Sequence, residues 1–153
     1  MKNEAIYLTS EGLKKLKDEY EELTKVKRKE ITERISKARE FGDISENSEY
    51  DTARDEQSFI EGRILEIEEI LKHAKKINEG VKHSLVEMGS HVKVEVDGHN
   101  DDFVIVSSVE ANPIEGKISN ESPVGKALLG AKIGDVVTVA SSIKSTFKVL
   151  DVK

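Results

Sequence analysis

The chain has 153 residues, of which 35% are charged and 37% hydrophobic, and its formal net charge is −6. This balance is typical of a protein with an extended, solvated part, and the negative charge argues against non-specific nucleic-acid binding, which depends on phosphate neutralisation by Lys and Arg. Because there is no cysteine, disulfides and cysteine-ligated metal sites are excluded. No apolar run resembles a signal peptide or a membrane span, so we expect a cytoplasmic protein.

A long helix is predicted from about residue 10 to Phe41. Its apolar residues recur at intervals of three and four, which places them on one stripe. The stripe slips by one residue near Val26 and Lys27 and resumes at Ile31. A slip of this kind locally unwinds a supercoil without ending the helix. Gly42 is the first residue that adopts a left-handed backbone at no steric cost, so it marks the predicted helix end.

A second helix is predicted by an apolar seam that runs from Tyr50 to Ala74 in steps of three and four. Its predicted ends are marked by a cap, Asp43 or Ser45, and by two terminating residues, Asn78 and Gly80. Two matched seams joined by a short turn predict an antiparallel coiled-coil hairpin, which we call the arm. At 1.5 Å per residue the arm is about 45 Å long.

After residue 80 the apolar pattern changes to the alternation of half-buried strands. Strands are predicted at residues 91–96, 103–106, 117–119, 136–139 and 146–150. A short helix is predicted where Ser122 caps the chain and Pro123 suits the first turn. The predicted fold class is therefore α+β, with the coiled-coil arm over residues 1–79 and a small antiparallel sheet domain with one short helix over residues 80–153.

The turn between the two helices, the tip (residues 39–50), carries two carboxylates, Asp43 and Glu46. Helix N-termini favour negative charge, so both are expected to stay ionised. Carboxylate oxygens suit Mg²⁺, but two ligands make an incomplete site unless a partner supplies the others. Spacing alone favours a capping pattern. The position of the pair at the far end of a long arm favours a functional role.

The chain closely resembles the bacterial Gre transcript-cleavage factors. The resemblance covers essentially the whole chain and includes residues 61–64, residues 118–130 and the turn at Gly134 and Asp135. It implies an FKBP-like fold for residues 80–153. It is most specific at the tip, in Ala38-Arg39-Glu40-Phe41-Gly42-Asp43-Ile44-Ser45-Glu46-Asn47-Ser48-Glu49-Tyr50, followed by Ala53-Arg54.

The resemblance implies a transcription elongation factor whose coiled coil enters the secondary channel of bacterial RNA polymerase. Such a factor stimulates the polymerase's own cleavage of backtracked RNA and is not itself an enzyme. The implied partners are the polymerase and, through the complex, the nascent RNA 3′ end, with no membrane and no independent DNA binding. No cofactor of its own is implied, only Mg²⁺ shared with the polymerase active site.

The resemblance also assigns individual residues. Asp43 and Glu46 correspond to the acidic pair that helps to hold the second Mg²⁺. The basic and aromatic positions that would meet RNA or polymerase are Lys37, Arg39, Phe41 and Arg54. The positions that would shape the polymerase-docking surface are Ser122, Pro123 and Gly125. Simpler interpretations stay open for these groups: a solvated salt-bridge face for the basic residues, an aromatic folded over the helix ends, and a capped turn for the docking positions.

Other functions stay open for the whole chain. The main alternative is a Gre-like protein that binds the channel and regulates or inhibits without cleavage, which the presence of Asp43 and Glu46 disfavours. A prolyl isomerase needs an aromatic-lined pocket, and the predicted sheet domain offers only Phe103 and Phe147, at core positions. A plain coiled-coil adaptor would tolerate alanine at the tip.

Overall fold

The computed structural model describes residues 4–42, 47–79, 84–140 and 145–153. The chain divides into a helical unit, Leu13–His73, and a globular unit, Met1–Gly12 with Ala74–Lys153. This division differs from the predicted boundary between residues 79 and 80. No helix in the described ranges is long and apolar enough to cross a membrane.

The N-terminal segment belongs to the globular unit because it pairs within that unit. Strand β1 (Ile6–Leu8) lies parallel to strand β2 (Ala74–Lys76). The carboxylate of Glu110 accepts the Thr9 backbone N–H at 2.8 Å. Because β2 pairs with β1, the second long helix ends before Asn78 and Gly80, the residues predicted to terminate it.

The helical unit contains three helices: α1 (Ser10–Glu22), α2 (Arg28–Glu40) and α3 (Ser48–His73). A π-helical turn, Leu23–Lys27, joins α1 to α2 without breaking the helix. It lies where the sequence predicts a slip of the apolar stripe. The wider turn absorbs the extra residue, so Ile31 and Ile35 return to the buried side.

Helices α2 and α3 pack antiparallel, as the hairpin predicts. The side chain of Arg28 bonds to Glu61, and that of Arg34, further along α2, bonds to Glu56, which lies earlier in α3. The buried seam between them contains a cluster of Ile31, Ile35, Ala53, Ile60 and Ile64, with Tyr20, Leu23 and Tyr50 packed against it. Leu16, Ala38, Ile67 and Ile70 are also buried in the helical unit.

The globular unit contains a five-stranded sheet in the order β5-β4-β3-β7-β6 and a short helix, α4 (Pro123–Leu128). The strands are β3 (His91–Val96), β4 (His99–Val106), β5 (Lys117–Ser119), β6 (Val136–Val139) and β7 (Ser145–Val152). Fully buried side chains of its core include Val92, Val94, Ile105, Leu128 and Val149. The predicted α+β fold class is confirmed.

One strand pairing differs from the prediction of an antiparallel sheet. Strand β5 runs parallel to β4, with Lys117 opposite Val104 and Ser119 opposite Val106. The connection includes a 3₁₀ turn, Pro113–Glu115, and carries the chain back along β4 before β5 begins. The sheet is therefore mixed.

Candidate functional site

The two predicted metal ligands, Asp43 and Glu46, lie outside the described residues, whereas the chain on either side of them is described. Helix α2 ends at Glu40, and the Phe41 N–H donates to the Ala38 carbonyl at 3.3 Å. Gly42 follows with a φ of 127°, a positive value that glycine tolerates best. The helix therefore ends where the sequence predicts.

The start of α3 is capped by Asn47. Its Oδ1 accepts the Tyr50 N–H at 3.1 Å, and its backbone carbonyl accepts the Asp51 N–H at 3.1 Å. Its Nδ2 donates to the Ala38 carbonyl at 2.6 Å. One side chain therefore connects the last turn of α2 to the first turn of α3.

The predicted caps, Asp43 or Ser45, lie outside the described residues, and α3 begins at Ser48, directly after Asn47. Sequence reasoning missed Asn47 altogether. The available signal was its residue type, since asparagine is among the most favoured N-caps. The hydrogen bond to Ala38 could not be predicted from the sequence, because it forms only where the two helix ends approach each other in the folded chain.

The basic residues at and beside the tip are not engaged in ion pairs with carboxylates of the described residues. The Arg39 guanidinium lies 5.8 Å from the centroid of the Tyr50 ring, within the range of a cation–π contact. The Arg54 side chain donates to Gln57 Oε1 at 3.1 Å. Within the described ranges the Lys37 side chain makes no hydrogen bond or ion pair. The salt-bridge interpretation therefore finds no support in this part of the chain.

Phe41 presents its ring to solvent. It is 86% exposed, the largest fraction among the aromatic side chains of the described residues. It therefore does not fold over the helix ends. Tyr50, in contrast, packs against the buried seam, as its place at the start of that seam predicts.

Away from the tip, arginines pair with glutamates across the two helices. Arg63 binds both oxygens of Glu19, at 2.7 and 3.0 Å, and also Glu66 at 2.9 Å. Arg28 binds both oxygens of Glu61, at 2.7 and 2.9 Å. These hydrogen bonds hold the pKa of the Glu19 and Glu61 carboxyls below the usual value. The third such arginine, Arg34, bonds to Glu49 and Glu56.

The predicted docking residues form the start of α4. Ser122 Oγ accepts the Gly125 N–H at 3.0 Å and donates to the Ser119 carbonyl at 2.6 Å. Gly125 is buried, and a Cβ there would overlap the Ser119 carbonyl oxygen. Pro123 occupies the first turn and is exposed. Ser122 and Gly125 therefore shape the turn, whereas Pro123 contributes to its surface.

Two further expectations concern metals and an aromatic pocket. Nowhere in the described ranges do three or more His, Asp or Glu side chains gather in a way that could hold a metal. Phe147 is buried in the core of the sheet, and Phe103 packs against that core. A groove on the sheet has Phe103 in its wall, and five charged side chains share its lining: Lys93, Asp102, Glu115, Asp151 and Lys153.

Comparisons with known proteins agree on one family. The model described as "Transcription elongation factor, N-terminal" matches residues 6–75, and "Transcription elongation factor, GreA/GreB, C-term" matches residues 81–153. The chain is 53% identical over 154 residues to the transcription elongation factor GreA of Thermoanaerobacter pseudethanolicus, covering 97% of each chain. It is 52% identical over 157 residues to GreA of Acetivibrio thermocellus, covering 99% of this chain and 98% of the relative.

A crystal structure of GreA factor homolog 1 (Gfh1) of Thermus thermophilus is also similar. It shares 32% sequence identity, the match covers 97% of this chain and 99% of that chain, and the TM-score is 0.46. The family matches together span nearly the whole sequence and confirm the resemblance seen at the tip. The chain therefore belongs to the GreA/GreB family of transcription elongation factors.

Proposed function

We propose that this protein enters the secondary channel of bacterial RNA polymerase with its helical unit and stimulates the polymerase to cleave backtracked RNA. Membership of a family of transcription elongation factors carries the proposal, and RNA polymerase as the partner follows from it. Backtracking displaces the RNA 3′ end from the active site and stops elongation. Cleavage creates a new 3′ end in the active site, so that synthesis resumes.

The acidic pair is the proposed chemical contribution of this chain. Asp43 and Glu46 would supply oxygen ligands to a Mg²⁺ ion in the polymerase active site and help to position the attacking water. Two carboxylates fit the preference of Mg²⁺ for oxygen ligands but are too few to hold it alone, so polymerase carboxylates would complete the site. When bound, the ion activates water and offsets negative charge on the reacting phosphate.

The described ends of the tip support this role. The bonds of Asn47 connect the end of α2 to the start of α3. No carboxylate of the described residues forms an ion pair with Lys37, Arg39 or Arg54. Cationic side chains of this kind attract a phosphate backbone. The exposed ring of Phe41 offers an apolar contact for RNA or polymerase. The displaced RNA would therefore meet positive charge beside the acidic pair.

The globular unit would dock on the polymerase through the surface at α4. The exposed Pro123 would make the contact, while Ser122 and Gly125 hold the turn in shape. Both GreA relatives, together with the modest basic character around the tip, favour the GreA branch of the family for this protein.

A cleavage assay tests the proposal. A stalled, backtracked complex with end-labelled RNA is incubated with Mg²⁺ and wild-type protein, Asp43→Ala or Glu46→Ala. Asp51→Ala is the matched control, because it removes an exposed carboxylate from the first turn of α3 without touching the predicted pair. We expect wild type and Asp51→Ala to shorten the RNA, and the other two variants to bind polymerase without stimulating cleavage.

Two other outcomes would refute the proposal. If wild type binds and blocks the complex without cleavage, the protein is a channel-binding inhibitor. If Asp43→Ala and Glu46→Ala cleave as well as wild type, the two carboxylates do not hold the shared metal.

A further inference from the structure

We infer that Asn47 is a positioning residue for the tip, which holds the end of α2 and the start of α3 at a fixed separation so that the turn between them presents its carboxylates correctly. The inference rests on the proposed function of Asp43 and Glu46. It concerns a residue that touches neither metal nor RNA in that proposal and acts through the turn.

The geometry joins two helix termini through one amide. Ala38 lies in the last turn of α2, where backbone carbonyls lack helical partners. Its carbonyl accepts both the Phe41 N–H and the Asn47 Nδ2, the latter at 2.6 Å. At the same time Asn47 Oδ1 accepts the Tyr50 N–H of α3 at 3.1 Å. Both ends of the turn are therefore held by the same side chain.

A second contact ties the same two helix ends. Arg39, in the last turn of α2, lies over the ring of Tyr50, in the first turn of α3. Ala38 and Ala53, which face the seam beside these contacts, are 2% and 0% exposed. Alanine side chains at these two buried positions leave room for the helix ends to approach, as the hydrogen bond from the Asn47 amide to the Ala38 carbonyl requires.

The chemistry requires an amide at this position. Its bridge needs a donor toward Ala38 and an acceptor toward Tyr50 on one short side chain, and the asparagine amide supplies both. Serine keeps the capping acceptor but is too short to reach Ala38. Aspartate also caps well, but it would place a carboxylate oxygen against the Ala38 carbonyl. Capping and bridging can therefore be separated by substitution.

Loss of the bridge is expected to reduce cleavage more than folding. Asp43 and Glu46 belong to the five residues that join Phe41 to Asn47 in the sequence. We therefore expect loss of the Asn47 bridge to change how the two helix ends present them. A misplacement of about 1 Å at a reacting centre can reduce a rate by about 100-fold. We expect Asn47→Ser to cleave about tenfold more slowly than wild type, since the turn still samples the productive geometry.

The experiment compares Asn47→Ser with wild type, Asp43→Ala and Ser48→Ala in the backtracked-complex assay. Ser48→Ala is the matched control, because Ser48 is the adjacent polar residue and its hydroxyl bonds to nothing in the described chain. Cleavage rates are measured at saturating protein over a Mg²⁺ titration. Helix content and polymerase binding are measured by circular dichroism and fluorescence anisotropy.

We expect Asn47→Ser to keep wild-type helix content and binding, to cleave more slowly at saturating protein, and to need more Mg²⁺ for half-maximal cleavage. A purely structural role would not change the Mg²⁺ requirement once the protein is saturating. If Asn47→Ser loses helix content, Asn47→Asp takes its place, because aspartate preserves the cap.

The inference is overturned if Asn47→Ser, or Asn47→Asp in its place, cleaves at the wild-type rate with an unchanged Mg²⁺ requirement while Asp43→Ala is inactive. In that case Asn47 is only a helix cap and the proposed function stands. If Asp43→Ala itself cleaves like wild type, the proposed function fails, and the inference fails with it.

Discussion

The tip and the shaft of the helical unit differ in how they use basic residues. The shaft is the part of the helical unit outside residues 37–54, which comprise the tip and the basic residues beside it. Its three arginines, Arg28, Arg34 and Arg63, each bond to one or two glutamates. In contrast, Lys37, Arg39 and Arg54 pair with no carboxylate of the described residues.

The difference shows that net charge is a poor guide to where a charged ligand could bind. The whole chain is acidic, at −6, which argues against non-specific nucleic-acid binding. Pairing with glutamates nevertheless engages the shaft arginines, whereas Lys37, Arg39 and Arg54 meet no carboxylate of the described residues. Exposed ion pairs are each worth little in stability, so the shaft pairs mainly fix register and remove free charge.

The largest expected effect comes from the buried seam of the shaft. Ile64 is 2% exposed and lies in the cluster with Ile31, Ile60 and Ala53. We expect Ile64→Ala to lower the free energy of unfolding by about 2–5 kcal/mol, because it removes buried methyl groups and leaves a cavity. Urea denaturation measures the change. If the free energy of unfolding falls only as much as it does for an alanine substitution at an exposed position, the seam does not hold the helices together.

A smaller effect on RNA cleavage is expected to distinguish an arginine beside the tip from an arginine of the shaft. We expect Arg54→Gln to weaken cleavage severalfold with an unchanged melting temperature, because it removes a charge offered to RNA. The matched shaft variant Arg28→Gln should leave cleavage unchanged, because that guanidinium is paired with Glu61, outside residues 37–54. The cleavage rates are compared at low and moderate salt. Equal effects of the two variants on cleavage would remove the proposed distinction.

The smallest expected effect is the pH dependence of the shaft pairs. The folded pKa of Glu19 and Glu61 lies below the ordinary value of 4.5, because each accepts hydrogen bonds from an arginine. Their stabilising contribution is therefore fully present above about pH 4.5 and is lost as pH falls through the folded pKa. Arg63→Gln removes the contribution of Glu19, so stability should fall less steeply on acidification.

Urea denaturation of wild type and Arg63→Gln at neutral pH and near pH 3.5 measures this difference. The two proteins should differ by no more than about 1 kcal/mol at neutral pH, because the pair is largely solvated. At acidic pH the difference should narrow. A difference that widens on acidification would contradict the assigned pKa direction.

Local pattern was enough to predict much of the fold. The slip near Val26 appears as the π-helical turn Leu23–Lys27, and Ser122 caps the short helix whose first turn holds Pro123. Both features depend on residues that are neighbours in sequence. Alternating apolar residues likewise predicted β3 and β6 at their observed bounds.

Long-range contacts account for what the sequence did not reveal. Helix α3 ends at His73 because β2 pairs with β1, near the start of the chain, although the helical period continues to Ala74. The parallel pairing of β4 with β5 and the bridge from Asn47 to Ala38 likewise join residues whose approach no local pattern encodes. The roles of Asp43 and Glu46 came from resemblance and stay a prediction.

The most direct test of the division between shaft and tip compares Asp43→Asn with Arg28→Gln. RNA cleavage in a backtracked complex is measured at saturating protein, alongside melting temperature. We expect Asp43→Asn to melt like wild type but cleave about 100-fold more slowly, and Arg28→Gln to cleave like wild type with at most a small fall in melting temperature. Wild-type cleavage by Asp43→Asn would contradict the central claim that the tip carries the function.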